Sequence, residues 1–228
     1  MRIVAISDTH SMHRKINVPK GDVLVHAGDF SSHGLYHEFE DFVVWLSELP
    51  HKYKVFIAGN HDRCMEGLAE LRAQGFSGQG AINAMPKTGR IKSAEGIHYL
   101  FDSTVTLMGK KFYGSPWQPE FCNWSFQAPR GIGMANKWAH IPNDTDVLIT
   151  HGPPYGHGDY VPRAKRVTGC LELMNKVTVV QPDVHIFGHI HEGYGYSRSE
   201  ECKTRFVNAS TCDGNYKPIN KAIRIDLD

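Results

Sequence analysis

The sequence lacks the features that mark secreted, membrane and nucleic-acid-binding proteins. Its five cysteines are odd in number and contain no C-x-x-C pair, which argues against a disulfide framework or a cysteine zinc site and predicts reduced thiols in the cytoplasm. No apolar run approaches the roughly 18–20 residues of a membrane span, and Asp8 ends the apolar start too early for a signal peptide. With 25 Lys and Arg against 24 Asp and Glu, no excess of cations predicts a nucleic-acid or membrane partner.

What is present is a chain that can bury a core. The 228 residues are 41% hydrophobic and 21% charged, with 22 Gly and 12 Pro, which is typical of a globular protein. No repeat, low-complexity tract or linker divides them, so we expect a single domain over residues 1–228. The unusual feature is the number of histidines, 14, because histidine is the residue of metal ligation and proton transfer.

Short β-branched runs alternate with helical patterns along the chain. Buried strands are predicted at residues 2–7, 23–27, 54–58, 146–150 and 183–187, because these runs are apolar on both faces. Helices are predicted at 35–49, 65–74 and 170–180, and further strands at 97–101, 104–108, 111–114, 194–197, 203–208 and 222–227. Segments 75–89 and 115–133 have loop composition. The alternation predicts an α/β fold with a mixed sheet.

Each buried strand runs into polar residues that are typical of metal sites. The five segments are Asp8-Thr9-His10, Gly28-Asp29, Gly59-Asn60-His61-Asp62, His151-Gly152 and Gly188-His189-Ile190-His191. Ligands of open α/β sheets bind outside the carboxyl ends of the strands, so we expect these side chains to share one rim. Any one of the motifs is common by chance, but five of them at five strand ends indicate a common site.

The types of ligand predict the kind of metal. Imidazole, carboxylate and amide oxygen without thiolate suit Mn, Fe, Zn, Ni or Co rather than Ca. The candidates are Asp8, His10, Asp29, Asn60, His151, His189 and His191. These seven ligands are too many for one tetrahedral ion and suit two ions that share a carboxylate. Two ions about 3.5–4 Å apart can clamp a phosphate and hold a hydroxide. We therefore expect two divalent or trivalent transition-metal ions, with manganese as the first choice.

The order of the motifs D-x-H, G-D, G-N-H-[DE], H-G and G-H-x-H resembles the calcineurin-like metallophosphoesterase superfamily from Asp8 to His191. Segments 114–119, 190–195 and 208–212 are also similar to the metallophosphoesterase-domain-containing brain proteins, a type like the class III cyclic-nucleotide phosphodiesterases, and to their bacterial relatives. The resemblance covers nearly the whole chain. It implies an α/β fold in the form of a four-layer α/β/β/α sandwich with two mixed β-sheets.

The resemblance also implies a role for each motif residue. It assigns Asp8, His10, Asp29 and His191 to a first metal, and Asp29, Asn60, His151 and His189 to a second, with Asp29 as the bridge. His61 is implied to be catalytic and close to the leaving oxygen. For Asp62 two roles are open, orienting His61 or capping the helix predicted to start near Met65.

The expected activity is hydrolysis of a small phosphoester by attack of a metal-bridging hydroxide, with His61 protonating the leaving oxygen. The resemblance favours phosphodiesters, including cyclic nucleotides. The sequence reads Gly28-Asp29-Phe30-Ser31-Ser32-His33-Gly34 where protein phosphatases have G-D-x-x-D-R-G, which counts against that activity. The alternatives are a phosphomonoesterase using the same site and a metal-binding scaffold without significant catalysis. The complete ligand set favours an enzyme.

Candidates for substrate binding are Asn60, His61, Arg63 and Trp117. Cations near the motifs are either phosphate contacts or solvated surface charges: Arg63, Arg163, Lys165 and Arg166. An aromatic segment either stacks on a nucleobase or pins a loop to the core: Trp117, Phe121, Trp124 and Phe126.

Overall fold

Strands and helices alternate along the chain in the computed structural model, which describes residues 1–70 and 75–228. The strands are β1 (Arg2–Ile6), β2 (Val23–His26), β3 (Tyr53–Phe56), β4 (Ile97–Tyr99), β5 (Ser103–Leu107), β6 (Lys110–Ser115), β7 (Gln118–Pro119), β8 (Gln127–Ala128), β9 (Val147–Thr150), β10 (Tyr160–Val161), β11 (Arg166–Val167), β12 (Val184–Phe187), β13 (Gly195–Arg198), β14 (Arg205–Asn208) and β15 (Ile223–Asp226). The α-helices are α1 (Tyr36–Glu48), α2 (Arg63–Glu70), α3 (Gly78–Ala84), α4 (Ile132–Trp138) and α5 (Leu171–Val180).

Two large sheets are both mixed. The first has the order β15-β1-β2-β3-β4, with β15 antiparallel to β1 and the other pairs parallel. The second has the order β13-β14-β12-β9-β6-β5, with a parallel centre and antiparallel β5 and β13 at its edges. The parallel central strands of each sheet therefore end at the same edge, which is the edge where the motifs follow.

The two sheets pack face to face, and each has helices on its outer face. Ile3 and Ala5 of β1 lie in the core between the sheets, with Ile149 of β9 on the other side. Val4 of β1 points the opposite way and packs with α1, α2 and α3. Leu148 of β9 likewise packs with α4 and α5. The four-layer α/β/β/α sandwich is therefore confirmed, and burial on both faces explains the continuous apolar runs.

Two segments that were predicted to be loops contain regular structure. Residues 75–89 include α3 and the 3₁₀ turn Met85–Thr88, and residues 115–133 include β7, β8 and the first turn of α4, which was not predicted. The helix predicted at 65–74 begins earlier, at Arg63, and its last four predicted residues, 71–74, lie outside the described residues.

The five cysteines are all free thiols, and two of them, Cys170 and Cys212, are buried. Among the described residues, no helix is both long enough and apolar enough to cross a membrane.

Candidate metal centre

The ends of five strands bring the predicted ligands to one rim. The first sheet contributes Asp8, His10, Asp29, Asn60 and His61 after β1, β2 and β3, and the second contributes His151, His189 and His191 after β9 and β12. Ligand atoms from both sheets lie within 4.8 Å of one another in three overlapping groups. The rim thus joins the two sheets through side chains of the kind that bind metals.

The first group consists of Asp8, His10 and His191. The Nε2 atoms of His10 and His191 are 3.2 Å apart, and His191 Nε2 is 3.4 Å from Asp8 Oδ1. The Asp8 carboxylate is held from behind, because it accepts the backbone N–H of His189 at 3.1 and 3.0 Å and the Ser210 hydroxyl at 3.0 Å. Three donor atoms from two sheets therefore converge on one small volume.

The second group consists of Asp29, His151 and His189. His151 Nε2 lies 3.4 Å from Asp29 Oδ2 and 3.0 Å from the side-chain oxygen of Asn60, which adds an amide oxygen to the group. Asp29 also belongs to the third group, with His10 and His61. The Asp29 carboxylate therefore belongs to two of the three groups.

Hydrogen bonds behind the imidazoles fix which nitrogen faces the centre. The Nδ1 atoms of His151 and His191 lie 2.9 Å from the carbonyl oxygens of Ala27 and Asp213. Because a carbonyl only accepts, each Nδ1 must carry the proton, and in the neutral ring Nε2 is left with its lone pair. Metal-binding histidines are usually oriented in this way. The donor set of imidazole, carboxylate and amide oxygen therefore fits divalent transition-metal ions.

The backbone is strained where it presents the ligands. Asp8, His10, Asp29 and His189 have φ values of +52°, +42°, +57° and +68°, a region that non-glycine residues rarely adopt. Such strain concentrates at functional sites. Neighbouring glycines allow the close approach, since a Cβ at Gly59 would overlap the Asp29 carboxylate and one at Gly188 would overlap that of Asp8.

The electrostatics of the rim favour a cation. Burial alone lowers the pKa of His151 and of His191, but the carboxylates of Asp29 and Asp8 outweigh it and raise both pKa values to about 9. Burial lowers the pKa of His189 to about 4. The two carboxylates therefore attract protons onto the imidazoles beside them, and a metal ion would compete for the same positions.

Asp62 takes neither of the two roles that the sequence left open. Its carboxylate accepts the backbone N–H groups of Asp29 at 2.9 Å, Gly59 at 2.8 Å and Ser31 at 2.9 Å, and the Ser31 hydroxyl at 2.6 Å. Within the described residues that carboxylate bonds neither to the His61 ring nor to an N–H of α2, and it is the Asp62 backbone carbonyl that accepts the N–H of Met65 in α2, at 2.9 Å. Asp62 instead fixes the loop that carries Asp29. Burial and the Asp29 charge raise its pKa to about 7.

A cavity of about 820 Å³ opens beside the rim. Its floor includes Asp29, Asn60, His61, His189 and His191. Three arginines also line it: Arg130, Arg163 and Arg166. Aromatic side chains form part of the remaining wall: Phe121, Trp124 and Tyr216.

The structure does not bring Arg63 and Trp117 to this cavity. Arg63 is exposed at the start of α2. Trp117 donates its indole N–H to Asp102 at 2.8 Å, packs on Phe126, and has the Lys137 ammonium 3.2 Å from its ring centroid. These contacts pin Trp117 to the core, which corrects its proposed role in substrate binding.

Other aromatic residues take the place that was predicted for Trp117. The Trp124 ring lies edge-on to His61 with centroids 4.2 Å apart, and the Tyr216 ring lies 4.9 Å from that of His10. Trp124 was among the aromatic candidates, but Tyr216 was missed. The signal for Tyr216 was a turn composition, Asp213-Gly214-Asn215, directly after segment 208–212.

Known proteins resemble this chain over nearly its whole length. The family model described as calcineurin-like phosphoesterase matches residues 1–193. The chain is 46% identical over 233 residues to human metallophosphoesterase domain-containing protein 1, covering 99% of this chain and 71% of that protein. It is 38% identical over 240 residues to the UPF0046 protein T07D4.2 of Caenorhabditis elegans, covering 100% of this chain and 60% of that protein.

A solved structure shares the fold. The crystal structure of the protein TT1561 of Thermus thermophilus superimposes with a TM-score of 0.56 over 91% of this chain and 88% of that one, at 13% sequence identity.

Proposed function

The chain belongs to the calcineurin-like phosphoesterase family, and from this premise we propose that it hydrolyses small phosphodiesters with two transition-metal ions, manganese being the first choice. The observation that supports the proposal is the pair of donor groups linked by Asp29 at the floor of an 820 Å³ cavity. One ion would be held by Asp8, His10, His191 and Asp29, and the other by Asp29, Asn60, His151 and His189. When bound, the ions supply positive charge to the phosphate oxygens and lower the pKa of the attacking water.

We propose that His61 acts on the leaving group. Its Nδ1 faces the Ser32 carbonyl at 3.0 Å, and its backbone N–H donates to Asp29 Oδ1 at 2.8 Å. The Nδ1 contact orients the ring, and His61 lines the cavity with Nε2 3.9 Å from Asp29 Oδ2. In the proposed reaction His61 acts as the imidazolium: Nδ1–H donates to the Ser32 carbonyl, and Nε2–H is donated to the departing oxygen as the bond from that oxygen to phosphorus breaks, so that no free alkoxide has to leave.

The proposed substrate is a small phosphodiester, and cyclic nucleotides are the first class to examine. The cavity is of the size that holds small ligands, and the exposed faces of Trp124 and Tyr216 offer surfaces on which a planar base can stack. The free state of all five cysteines supports a reducing compartment such as the cytoplasm.

Paired model substrates test the proposal. The manganese-loaded protein should hydrolyse bis(p-nitrophenyl) phosphate faster than p-nitrophenyl phosphate, measured by release of p-nitrophenolate. Faster turnover of the monoester would indicate a phosphomonoesterase. No turnover of either compound with two metals bound per chain would indicate a scaffold. A panel of 2′,3′- and 3′,5′-cyclic nucleotides then identifies the preferred diester.

The role of His61 needs its own variant. His61→Ala should retain the metals and lose about 10²–10⁴ in rate, the usual contribution of general acid catalysis. His33→Ala is the matched control, because His33 is exposed and does not line the cavity. If the metal content of His61→Ala falls, His61 is a ligand and not the proton donor.

A further inference from the structure

A small hairpin beside the metal centre carries three cations. Strands β10 and β11 pair antiparallel, with Tyr160 opposite Val167, and residues 162–165 connect them. Arg163, Lys165 and Arg166 are exposed on this hairpin. In the part of the chain that the structure describes, none of these three side chains forms a hydrogen bond or an ion pair, whereas the Arg14 side chain pairs with Asp41 and Glu48. The hairpin therefore holds uncompensated positive charge.

Two of these cations line the cavity of the metal centre. Arg163 and Arg166 share its wall with Asp29, His61 and His189. The cavity also contains two glutamates, Glu120 and Glu192, but over the described residues neither comes within ion-pair distance of the hairpin arginines. Both guanidinium groups thus remain available to a ligand that occupies the cavity.

The hairpin is anchored at its base. The Asp159 carboxylate accepts the N–H groups of Gly156 at 2.9 Å and Gly169 at 3.1 Å, one on each side of the hairpin. Arg130, the third arginine of the cavity wall, donates to the carbonyls of Gly169 at 2.8 Å and Thr168 at 2.6 Å. These bonds fix the direction in which the hairpin leaves the body of the protein.

A further side chain connects the base of the hairpin to the candidate metal ligands. The side-chain amide of Asn208 donates to the Gly158 carbonyl at the base of the hairpin, at 3.3 Å, and to the Ile190 carbonyl, at 2.8 Å. Ile190 stands between the two ligands His189 and His191. The hairpin and the ligand segment are therefore tied to one side chain, which fixes the base of the hairpin relative to the metal centre.

We propose that Arg163 and Arg166 form a second anion subsite, so that the preferred substrate is a phosphodiester carrying another phosphate group away from the scissile bond. This inference rests on the proposed function. A diester group bears a single negative charge, and the two proposed metal ions would already offset it. The two guanidinium groups therefore add cationic charge beyond what that group needs, and each can bind a second anion through two parallel N–H···O bonds.

The test uses two substrates that differ only in the extra phosphate: the dinucleotide TpT and its 5′-phosphorylated form pTpT. Chromatography of the products separates cleavage of the diester from loss of the terminal phosphate. We expect kcat/KM for diester cleavage to be about tenfold higher for pTpT, the effect of roughly 1.4 kcal/mol of additional binding. In Arg163→Gln/Arg166→Gln this preference should disappear, while turnover of TpT and of bis(p-nitrophenyl) phosphate is unchanged.

Lys165→Gln is the matched control, because Lys165 lies on the same hairpin but does not line the cavity, and it should keep the preference. Equal turnover of TpT and pTpT by the unaltered protein would overturn the inference while leaving the proposed function intact. An equal loss on both substrates in the double variant would also overturn it, since the arginines would then serve the scissile phosphate.

A binding measurement covers the case in which nothing is turned over, which would count against the proposed function. Calorimetry on the manganese-loaded protein compares thymidine 5′-phosphate with thymidine 3′,5′-bisphosphate. The inference requires about tenfold tighter binding of the bisphosphate, lost in the double variant and kept in Lys165→Gln. Equal affinities for the two nucleotides would refute the second subsite independently of catalysis.

Discussion

Asp29 is the residue that links the two donor groups. Its carboxylate lies 3.4 Å from His151 Nε2 and 3.9 Å from His61 Nε2, and it shares a group with His10. The side chain is buried, and burial raises its pKa, but the neighbouring imidazoles, His151 first, hold the pKa well below the usual range. The carboxylate is therefore charged across the physiological range and available to a cation.

Replacement of Asp29 by asparagine should remove metal from both positions. Asn keeps the shape but removes the negative charge and leaves one oxygen in place of two, so it cannot serve two ions. We expect Asp29→Asn to lose most of the bound manganese, measured by mass spectrometry of metal per chain after desalting. Asp41→Asn, at a half-exposed acid that pairs with Arg14, should bind like the unaltered protein. Retention of two equivalents in Asp29→Asn would exclude a shared carboxylate.

Asp62 supports Asp29 through the backbone, so its loss should affect stability first. Asp62→Ala leaves the N–H groups of Asp29, Gly59 and Ser31 without their acceptor in a buried loop. An unsatisfied buried group costs roughly 1–3 kcal/mol, and we expect urea unfolding to show a loss of about 3–5 kcal/mol. Asp144→Ala, at an exposed acid beside Lys111, should change stability little. A loss below about 1 kcal/mol in Asp62→Ala would contradict this role.

At the scale of elements, sequence periodicity predicted the strands well and the short helices poorly. The five buried strands lie within two residues of their predicted limits, because burial on both faces leaves a continuous apolar run. Helix α1 was found for the opposite reason, since only one of its faces is apolar, with Phe39, Phe42 and Leu46 buried in the core. Elements with a clear local pattern were therefore predictable.

Helix α3 has no such pattern. Contacts with other elements hold it in place instead. Its seven residues include two glycines, and Gly78 approaches Met65 and Tyr99 so closely that a Cβ would overlap them. The Gln79 amide accepts the Tyr99 N–H at 2.7 Å and donates to the Ile97 carbonyl at 3.1 Å, which attaches the helix to the sheet edge at β4. A composition typical of loops therefore forms a helix, and its local signal is weak: the N-cap Ser77, whose hydroxyl accepts the Gly80 N–H at 2.9 Å.

Strand β12 carries a buried histidine that should make stability depend on pH. His185 bonds to the Thr150 hydroxyl of β9 at 2.8 Å, and burial together with the nearby His157 lowers its pKa to about 3. Between about pH 6.5 and 3 the unfolded chain binds a proton here that the folded chain does not. The free energy of unfolding should therefore fall as the pH falls through this window, by up to about 1.4 kcal/mol per pH unit.

The variant His185→Gln isolates this contribution in urea unfolding at pH 6.5 and pH 5. The gap in stability between the unaltered protein and the variant should shrink by about 2 kcal/mol over that interval. Ile186→Val, on the same strand, removes one methyl group and should keep a constant gap at both pH values. A constant gap for His185→Gln as well would mean that His185 takes up its proton in the folded state.

At the scale of the whole molecule, topology explains why the ligand rim was predictable and the rest of the cavity was not. The ligands follow parallel strands, and the ends of parallel strands meet at one edge whatever the loops do. Arg63 is a candidate because it follows a motif and Trp117 because it is aromatic, but the structure leaves Arg63 exposed outside the cavity and Asp102 holds Trp117 toward the core. Tyr216 reaches the site from a turn near the end of the chain, and such a contact cannot be predicted from the periodicity of the sequence.

Since the ligands come from both sheets, bound metal should stabilise the whole sandwich. Asp8 extends from the first sheet and His191 from the second, so an ion between them would add a link between two layers that share an apolar core. Free metal at about 100 times its Kd adds roughly 2.7 kcal/mol to the free energy of unfolding. For a chain of this length that corresponds to about 5–10 °C in Tm.

Removal of manganese with a chelator should therefore lower Tm by about 5–10 °C for each ion lost, measured by differential scanning calorimetry, and readdition should restore Tm in proportion to the logarithm of free metal. The Asp29→Asn variant provides the control, because a protein that has lost both ions has nothing for the chelator to remove. An unchanged Tm in the unaltered protein would show that the two sheets hold the ligands in place without the ions. The strained conformations at Asp8, His10, Asp29 and His189 would then be maintained by the packing of the sandwich alone.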